Sequence, residues 1–188
     1  MRLLVRSWNI FHGRIVPETG AADPEQAVRL ISGGDPDVVC LQEVPVWALP
    51  RLEAWSCMSA RGVVTMRALG GHFARRVTEL DPRRLRSALT GQANAVLVSR
   101  RLRLEGEETL VLNPRSFRRR EARRQCLPLD ARREWWRTRR VGQFVRVVAA
   151  DGSVLVANVH LTAHHDSRLA DCELVRVVTH AEGFAEPG

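Results

Sequence analysis

The chain contains no lysine: all 29 basic residues are arginine. This bias runs through the whole sequence, so the arginine number alone says nothing about partners. No apolar stretch approaches the roughly 20 residues that a membrane-spanning helix needs. The N-terminus does not combine a positive region, an apolar run and a small-residue cleavage site. A cytoplasmic protein without a transmembrane segment is therefore the expectation. The four cysteines, Cys40, Cys57, Cys126 and Cys172, include no C-x-x-C pair, and none stands at zinc-finger spacing from histidines. Reduced thiols and no structural metal are expected, with Cys40 in the run DVVCL acting as a small buried hydrophobe. No internal repeat is visible.

What is present suffices for one domain. The 188 residues are 45% apolar, enough for a sizeable core, and residues 1–188 are read as a single, monomeric domain. The net charge of +8 is local. Arg115 to Arg140 carries eleven arginines against Glu121, Asp130 and Glu134, an excess of +8, while the remaining 18 arginines balance 18 acids. Two readings of this Arg-rich insert, residues 113–140, stay open. It is a phosphate-binding surface for nucleic acid or another polyanion, or a solvated, loosely helical excursion in which like charge disfavours packing. Trp135 and Trp136 within it suit either base stacking or a local hydrophobic anchor.

The local signals alternate between strand and helix. Leu3 to Trp8 reads as a buried strand ending at Asn9. Asp23-Pro24-Glu25-Gln26 opens a helix, because Asp caps, Pro suits the first position and Gln completes a capping box. That helix ends at Gly33-Gly34. Asp37 to Leu41 is a second buried strand, ending at Gln42-Glu43. A short helix is expected over 50–60, and 75–80 and 82–89 have helical composition. Ala95 to Ser99 reads as a strand, and 101–104 and 109–112 alternate. Gln143 to Ala149 and Ser153 to His160 flank Asp151-Gly152, a hairpin signal. A helix capped by Asp166 or Ser167 then runs to about Ala181. Such a mixture implies a mixed sheet faced by helices.

Three of these strands end in Asn9, Glu43 and His160. Metal-assisted phosphoester hydrolysis needs a hard cation on oxygen ligands, a group that moves a proton, and donors for charge building on phosphorus oxygens. Glu43 supplies a carboxylate, Asn9 an amide, and His160 a group that titrates near neutrality. Each has an ordinary alternative: a solvated loop acid, turn chemistry and a structural histidine.

Taken together, the motifs resemble those of one family. Ser7-Trp8-Asn9-Ile10-Phe11-His12-Gly13-Arg14 is similar to the first strand and loop of the endonuclease/exonuclease/phosphatase superfamily. Asp37-Val38-Val39-Cys40-Leu41-Gln42-Glu43 resembles its D-V-(apolar)-x-L-Q-E motif, Gly91 to Val98 its mid-domain Asn strand, and VLVANVHL (154–161) its apolar-x-N-x-H-L motif. All four occur in family order, over residues 1 to about 182. The resemblance implies an α/β (α+β) fold: a deoxyribonuclease I-like layered sandwich of two mixed sheets with outer helices. It implies Mg²⁺ or Mn²⁺ as cofactor, with Glu43 as metal ligand and Asn9 beside metal and phosphate. His160 would contact the scissile phosphate, with Asn158 supporting it. Asn94 would be a substrate-side loop residue, and His12 and Arg14 would reach phosphate from the first loop. The implied activity is hydrolysis of a phosphodiester or phosphomonoester, nuclease-like, with nucleic acid among the substrate classes.

Two departures stand out. Phe11 occupies a position that is polar in many relatives, and no G-D-x-N or terminal S-D-H motif follows. The chain thus reads as incomplete at the C-terminus. The competing expectation is an inactive remnant that binds a polyanion through its arginines.

Overall fold

The structure is a computed structural model that describes residues 2–11, 23–66 and 91–185. His12, Arg14 and the helical segments expected over 75–80 and 82–89 lie outside the described residues.

Among the described residues, seven strands form two sheets: β1 Val5–Asn9, β2 Val38–Val44, β3 Ser59–Met66, β4 Gln92–Val98, β5 Arg103–Val111, β6 Val141–Ala149 and β7 Gly152–Asn158. The first sheet has the order β1-β2-β4-β3 and is mixed, with β1 parallel to β2 and the other pairs antiparallel. The second, β5-β6-β7, is antiparallel throughout, unlike the mixed sheet expected. A tight hairpin, which antiparallel strands permit, joins β6 to β7, and the Arg-rich insert joins β5 to β6. Five α-helices among the described residues flank the sheets: α1 Pro24–Ser32, α2 Leu52–Ser56, α3 Arg115–Arg124, α4 Leu129–Arg137 and α5 Arg168–Ala185, with a 3₁₀ turn at Val46–Arg51.

Period-two alternation builds the layers. On β2, Val38 and Cys40 pack with Val96, Val98, Val145, Val147 and Val156 between the sheets. The intervening Val39 and Leu41 face the other way, into a cluster with Val28, Ala48 and Leu52 under α1, α2 and the 3₁₀ turn. Phe144 and Leu112 meet Val177 of α5 on the outer face of the second sheet. The result is helix, sheet, sheet, helix. Strands buried on both faces show continuous apolar runs, which is why β2 and β4 were readable.

Local chemistry sets the boundaries. Asp23 caps α1 by accepting the Glu25 amide. The helix expected over 50–60 stops at Ser56, where Cys57 turns left-handed (φ 58°). Ser59–Met66 is then a strand that the sequence did not announce. A Cβ at Gly62 would lie 2.7 Å from Leu49 Cδ2, so a larger residue there requires the Leu49 side chain to shift.

The Arg-rich insert is not a loose excursion. It is a helical hairpin, α3 and α4, docked on α5 through Phe117, Ala122, Leu127, Ala131, Trp135, Leu169 and Cys172. Each helix turns an apolar stripe inward and leaves most of its arginines in water. Arg118 donates to the carbonyls of Trp135 and Thr138 at the end of α4, a favourable place for a cation. Arg120 and Arg124 hold Glu121. Burial pushes that carboxyl up, but the two guanidinium partners outweigh it and hold it below its ordinary range.

Candidate active site

β1 and β2 run parallel with Asn9 opposite Gln42, which places the end of β1 beside the residue preceding Glu43. Glu43 sits at an irregularity in the β2–β4 register, between Leu41 and Val44. Its backbone is left-handed (φ 55°), which costs a non-glycine residue about 1–2 kcal/mol. A bulge with such a conformation re-aims a side chain out of the pleat, and strain of this kind gathers at functional sites. Here it brings Glu43 Oε1 to 3.8 Å from His160 Nε2, just beyond the end of β7. Both side chains are only partly exposed. The two residues are therefore brought together from opposite sheets.

Asn9 Oδ1 accepts the Phe11 amide at 3.0 Å, so the amide does turn chemistry. The same oxygen keeps a second lone pair. Phe11 is itself left-handed (φ 45°) and exposed.

The two other asparagines expected at the site, Asn158 and Asn94, are struts between sheets. Asn158 donates to the Leu41 carbonyl (3.0 Å) and the Ala95 carbonyl (2.9 Å), and accepts from Gln42 Nε2 (2.8 Å). It stands two residues before His160 and ties β7 to β2 and β4. Asn94 is corrected from a loop to the interior of β4. It is 1% exposed, and its amide donates to the Val141 carbonyl at 3.1 Å. The family resemblance implied a loop, but the strand already begins at Gln92. Asn158→Ala would remove the side-chain donor to two buried carbonyls and one of the three acceptors of the Gln42 amide, and should cost about 2–4 kcal/mol. Urea denaturation should show a lower midpoint with an unchanged slope.

Two residues of the site escaped the sequence reading. Arg140 leads into β6. Burial pushes its guanidinium below the usual arginine range, while Glu173, Glu43 and Glu134 act in the opposite sense. Its Nε is buried with no hydrogen-bond partner among the described residues. It is thus a cation near Glu43 with a donor still unused. Glu173, on α5, is fully buried and accepts from Trp135 Nε1 (2.6 Å), Asn113 Nδ2 (3.1 Å), the Thr162 amide (2.7 Å) and Thr162 Oγ1 (2.7 Å). It anchors both the insert and the segment that follows His160. Nothing in the sequence singles out one arginine among eleven, or one acid of an amphipathic helix.

Trp135 is buried in that network and cannot stack on a base. Trp136 is 43% exposed, with the Arg118 and Arg119 guanidinium carbons 5.1 Å and 5.8 Å from its ring centre. A groove of about 620 Å³ opens between α3 and α5, but none of Asn9, Glu43 and His160 lines it. A phosphoryl group does not need a deep cavity, so the groove's size is no argument against the Glu43 site.

Comparison with known proteins gives a consistent picture. A model of the endonuclease/exonuclease/phosphatase family matches residues 7–174. No curated protein matches significantly. Among solved structures, an endonuclease/exonuclease/phosphatase from Beutenbergia cavernae DSM 12333 is 22% identical with a TM-score of 0.60, over 95% of this chain and 43% of that one. The human Nocturnin catalytic domain with bound sulfate is 16% identical with a TM-score of 0.56, over 95% and 58%. ANGEL2, a 2′,3′-cyclic phosphatase in complex with adenosine-2′,3′-vanadate, is 16% identical with a TM-score of 0.58, over 98% and 49%. The chain thus spans about half the length of these structures. At such identities the likeness establishes the deoxyribonuclease I-like fold. No helix among the described residues is long and apolar enough to cross a membrane.

Proposed function

The chain belongs to the endonuclease/exonuclease/phosphatase family, and on that footing we propose that it is a metal-dependent phosphoesterase acting on nucleic acid. The observation that carries this reading is the approach of Glu43 Oε1 to His160 Nε2, 3.8 Å, across the two sheets.

The residues fit a hard cation. Glu43 offers a carboxylate and Asn9 an amide oxygen, the donor types Mg²⁺ and Mn²⁺ prefer. Bound there, the ion would polarise a phosphoryl oxygen and neutralise developing charge. Arg140, held by burial with a donor unused, points to a phosphate oxygen as its partner and would stabilise charge that builds on it. His160 is placed to donate to the phosphate or protonate the leaving oxygen. Asn158 holds the end of β7 so that His160 meets Glu43, and Asn94 braces β4 against β6 nearby. His12 and Arg14 remain candidates for phosphate contact from the first loop. The chain is taken to act as a cytoplasmic monomer.

Nucleic acid is favoured by Trp136 with Arg118 and Arg119: an exposed ring beside cations suits a stacked base on a phosphate backbone. The test is hydrolysis by this chain extended with the G-D-x-N and S-D-H segments of its family. Plasmid DNA, an abasic-site oligonucleotide, RNA, sphingomyelin and an inositol phosphate form the panel. Mg²⁺-dependent cleavage of a nucleic acid is expected, weakened in Trp136→Ala. Cleavage of sphingomyelin or inositol phosphate alone would remove the nucleic-acid assignment, and no cleavage of any substrate would remove the hydrolase.

A further inference from the structure

Asp130 stands in the first turn of α4, and His164 and His165 lie 34 and 35 residues later, between β7 and α5. The fold brings one ligand-type atom of each within 4.8 Å of the others. Asp130 Oδ2 is 3.4 Å from His165 Nε2 and 3.7 Å from His164 Nε2. The two imidazoles lie against each other, ring centres 4.0 Å apart. A tetrahedral ion that holds nitrogen and oxygen ligands at about 2.0–2.1 Å keeps them about 3.3–3.4 Å apart. The two carboxylate–imidazole separations need close only by tenths of an ångström, and the imidazole–imidazole separation lies within 4.8 Å.

We infer that Asp130, His164 and His165 form a binding site for a zinc-class divalent ion. None of Asn9, Glu43 and His160 belongs to it. Two imidazoles and one carboxylate suit Zn²⁺, Co²⁺ or Ni²⁺, whereas Mg²⁺ prefers oxygen alone. The absence of cysteine pairs argued against structural metal, but this donor set uses no cysteine and joins segments far apart in the chain. Three protein ligands leave a fourth position for water. The bound ion would clamp the Arg-rich hairpin to the segment that starts at His160.

One hydrogen bond gives the site a signature. His164 Nδ1 accepts the Asp166 amide at 3.1 Å, so in the neutral ring the proton sits on Nε2, facing Asp130. Coordination through Nε2 requires that proton to move to Nδ1, and the Asp166 amide then loses its acceptor. No net proton is released by this change of tautomer.

The test is titration of the intact chain with ZnCl₂ and CoCl₂, followed by calorimetry, visible absorption and amide NMR. One equivalent of ion should bind, with a Co²⁺ spectrum of four- or five-coordinate type and a displaced Asp166 amide resonance. Asp130→Asn and His165→Ala should each weaken binding by at least about tenfold. Both side chains are largely exposed, 58% and 74%, so these variants fold. Glu43→Gln and excess Mg²⁺ should change nothing, which separates this site from the proposed catalytic one. Binding indifferent to both variants, or an unmoved Asp166 amide, would overturn the assignment.

Discussion

Glu173→Ala should lower stability by about 3–5 kcal/mol, the range seen when one partner of a buried charged network is removed. The carboxylate accepts four hydrogen bonds in a fully buried position. Alanine leaves the Trp135 indole, the Thr162 amide and hydroxyl and the Asn113 amide without that acceptor. Each buried orphan costs about 1–3 kcal/mol, less whatever water can recover. It also strips Arg140 of an opposing charge while its burial continues to disfavour the cation. For a domain of this size the melting temperature should fall by about 10 °C. Glu173→Gln keeps the shape and should cost clearly less, although its NH₂ must face one of the donors. Because Thr162 follows His160 closely and Trp135 belongs to α4, the alanine variant should speed amide exchange in both segments. An alanine variant within about 1 kcal/mol of the parent protein would show that these contacts are not a cooperative network.

Glu43→Gln, in the chain extended with the later motifs of its family, should reduce turnover by about 10³-fold. That is the consequence of losing roughly 4 kcal/mol of transition-state charge stabilisation when the carboxylate no longer holds the cation. The fold should be nearly unaffected, since Gln keeps size and backbone conformation. Glu43→Gly separates strain from chemistry. It should be as inactive as Glu43→Gln yet at least as stable as the parent, because glycine adopts the left-handed backbone freely and this gain offsets its greater freedom in the unfolded chain. A carboxylate kept in a strained conformation that glycine would relieve is the mark of a residue retained for chemistry. If Glu43→Gln retained full turnover, Glu43 would not be the metal ligand.

Much of the frame was legible because one level of structure determined it. Asp23-Pro24 fixes the start of α1 through its own chain, and the apolar runs of β2 and β4 follow from burial on both faces. The strand-end residues Asn9, Glu43 and His160 could be listed from sequence, and for Glu43 and His160 their meeting is a fact of the fold. Other features depend on partners distant in the chain. Ser59–Met66 looks like no strand, since Arg61, Gly62 and Thr65 interrupt its pattern, and Gly62 is explained only by Leu49 against it. The insert looked too charged to pack, because Trp135 finds its acceptor in Glu173, 38 residues later. Arg140 differs from its ten neighbouring arginines only in its surroundings. Asn94 was misplaced because its loop position came from the family resemblance, and the signal for a buried inter-sheet strut lies in the Val141 carbonyl, distant in the chain.

The central claim is that Glu43, with Asn9 and His160, forms a divalent-metal site. Paramagnetic broadening by Mn²⁺ tests it most directly, because it registers even the weak binding expected of a site with few protein ligands. Added in small amounts to the isotope-labelled Asp130→Asn chain, in which the Asp130–His164–His165 site is disabled, Mn²⁺ should first broaden the amide resonances of residues around Asn9, Glu43 and His160. Glu43→Gln should abolish that broadening while leaving the rest of the spectrum in place. Broadening centred elsewhere in the chain, or broadening around residue 43 that survives Glu43→Gln, would contradict the account.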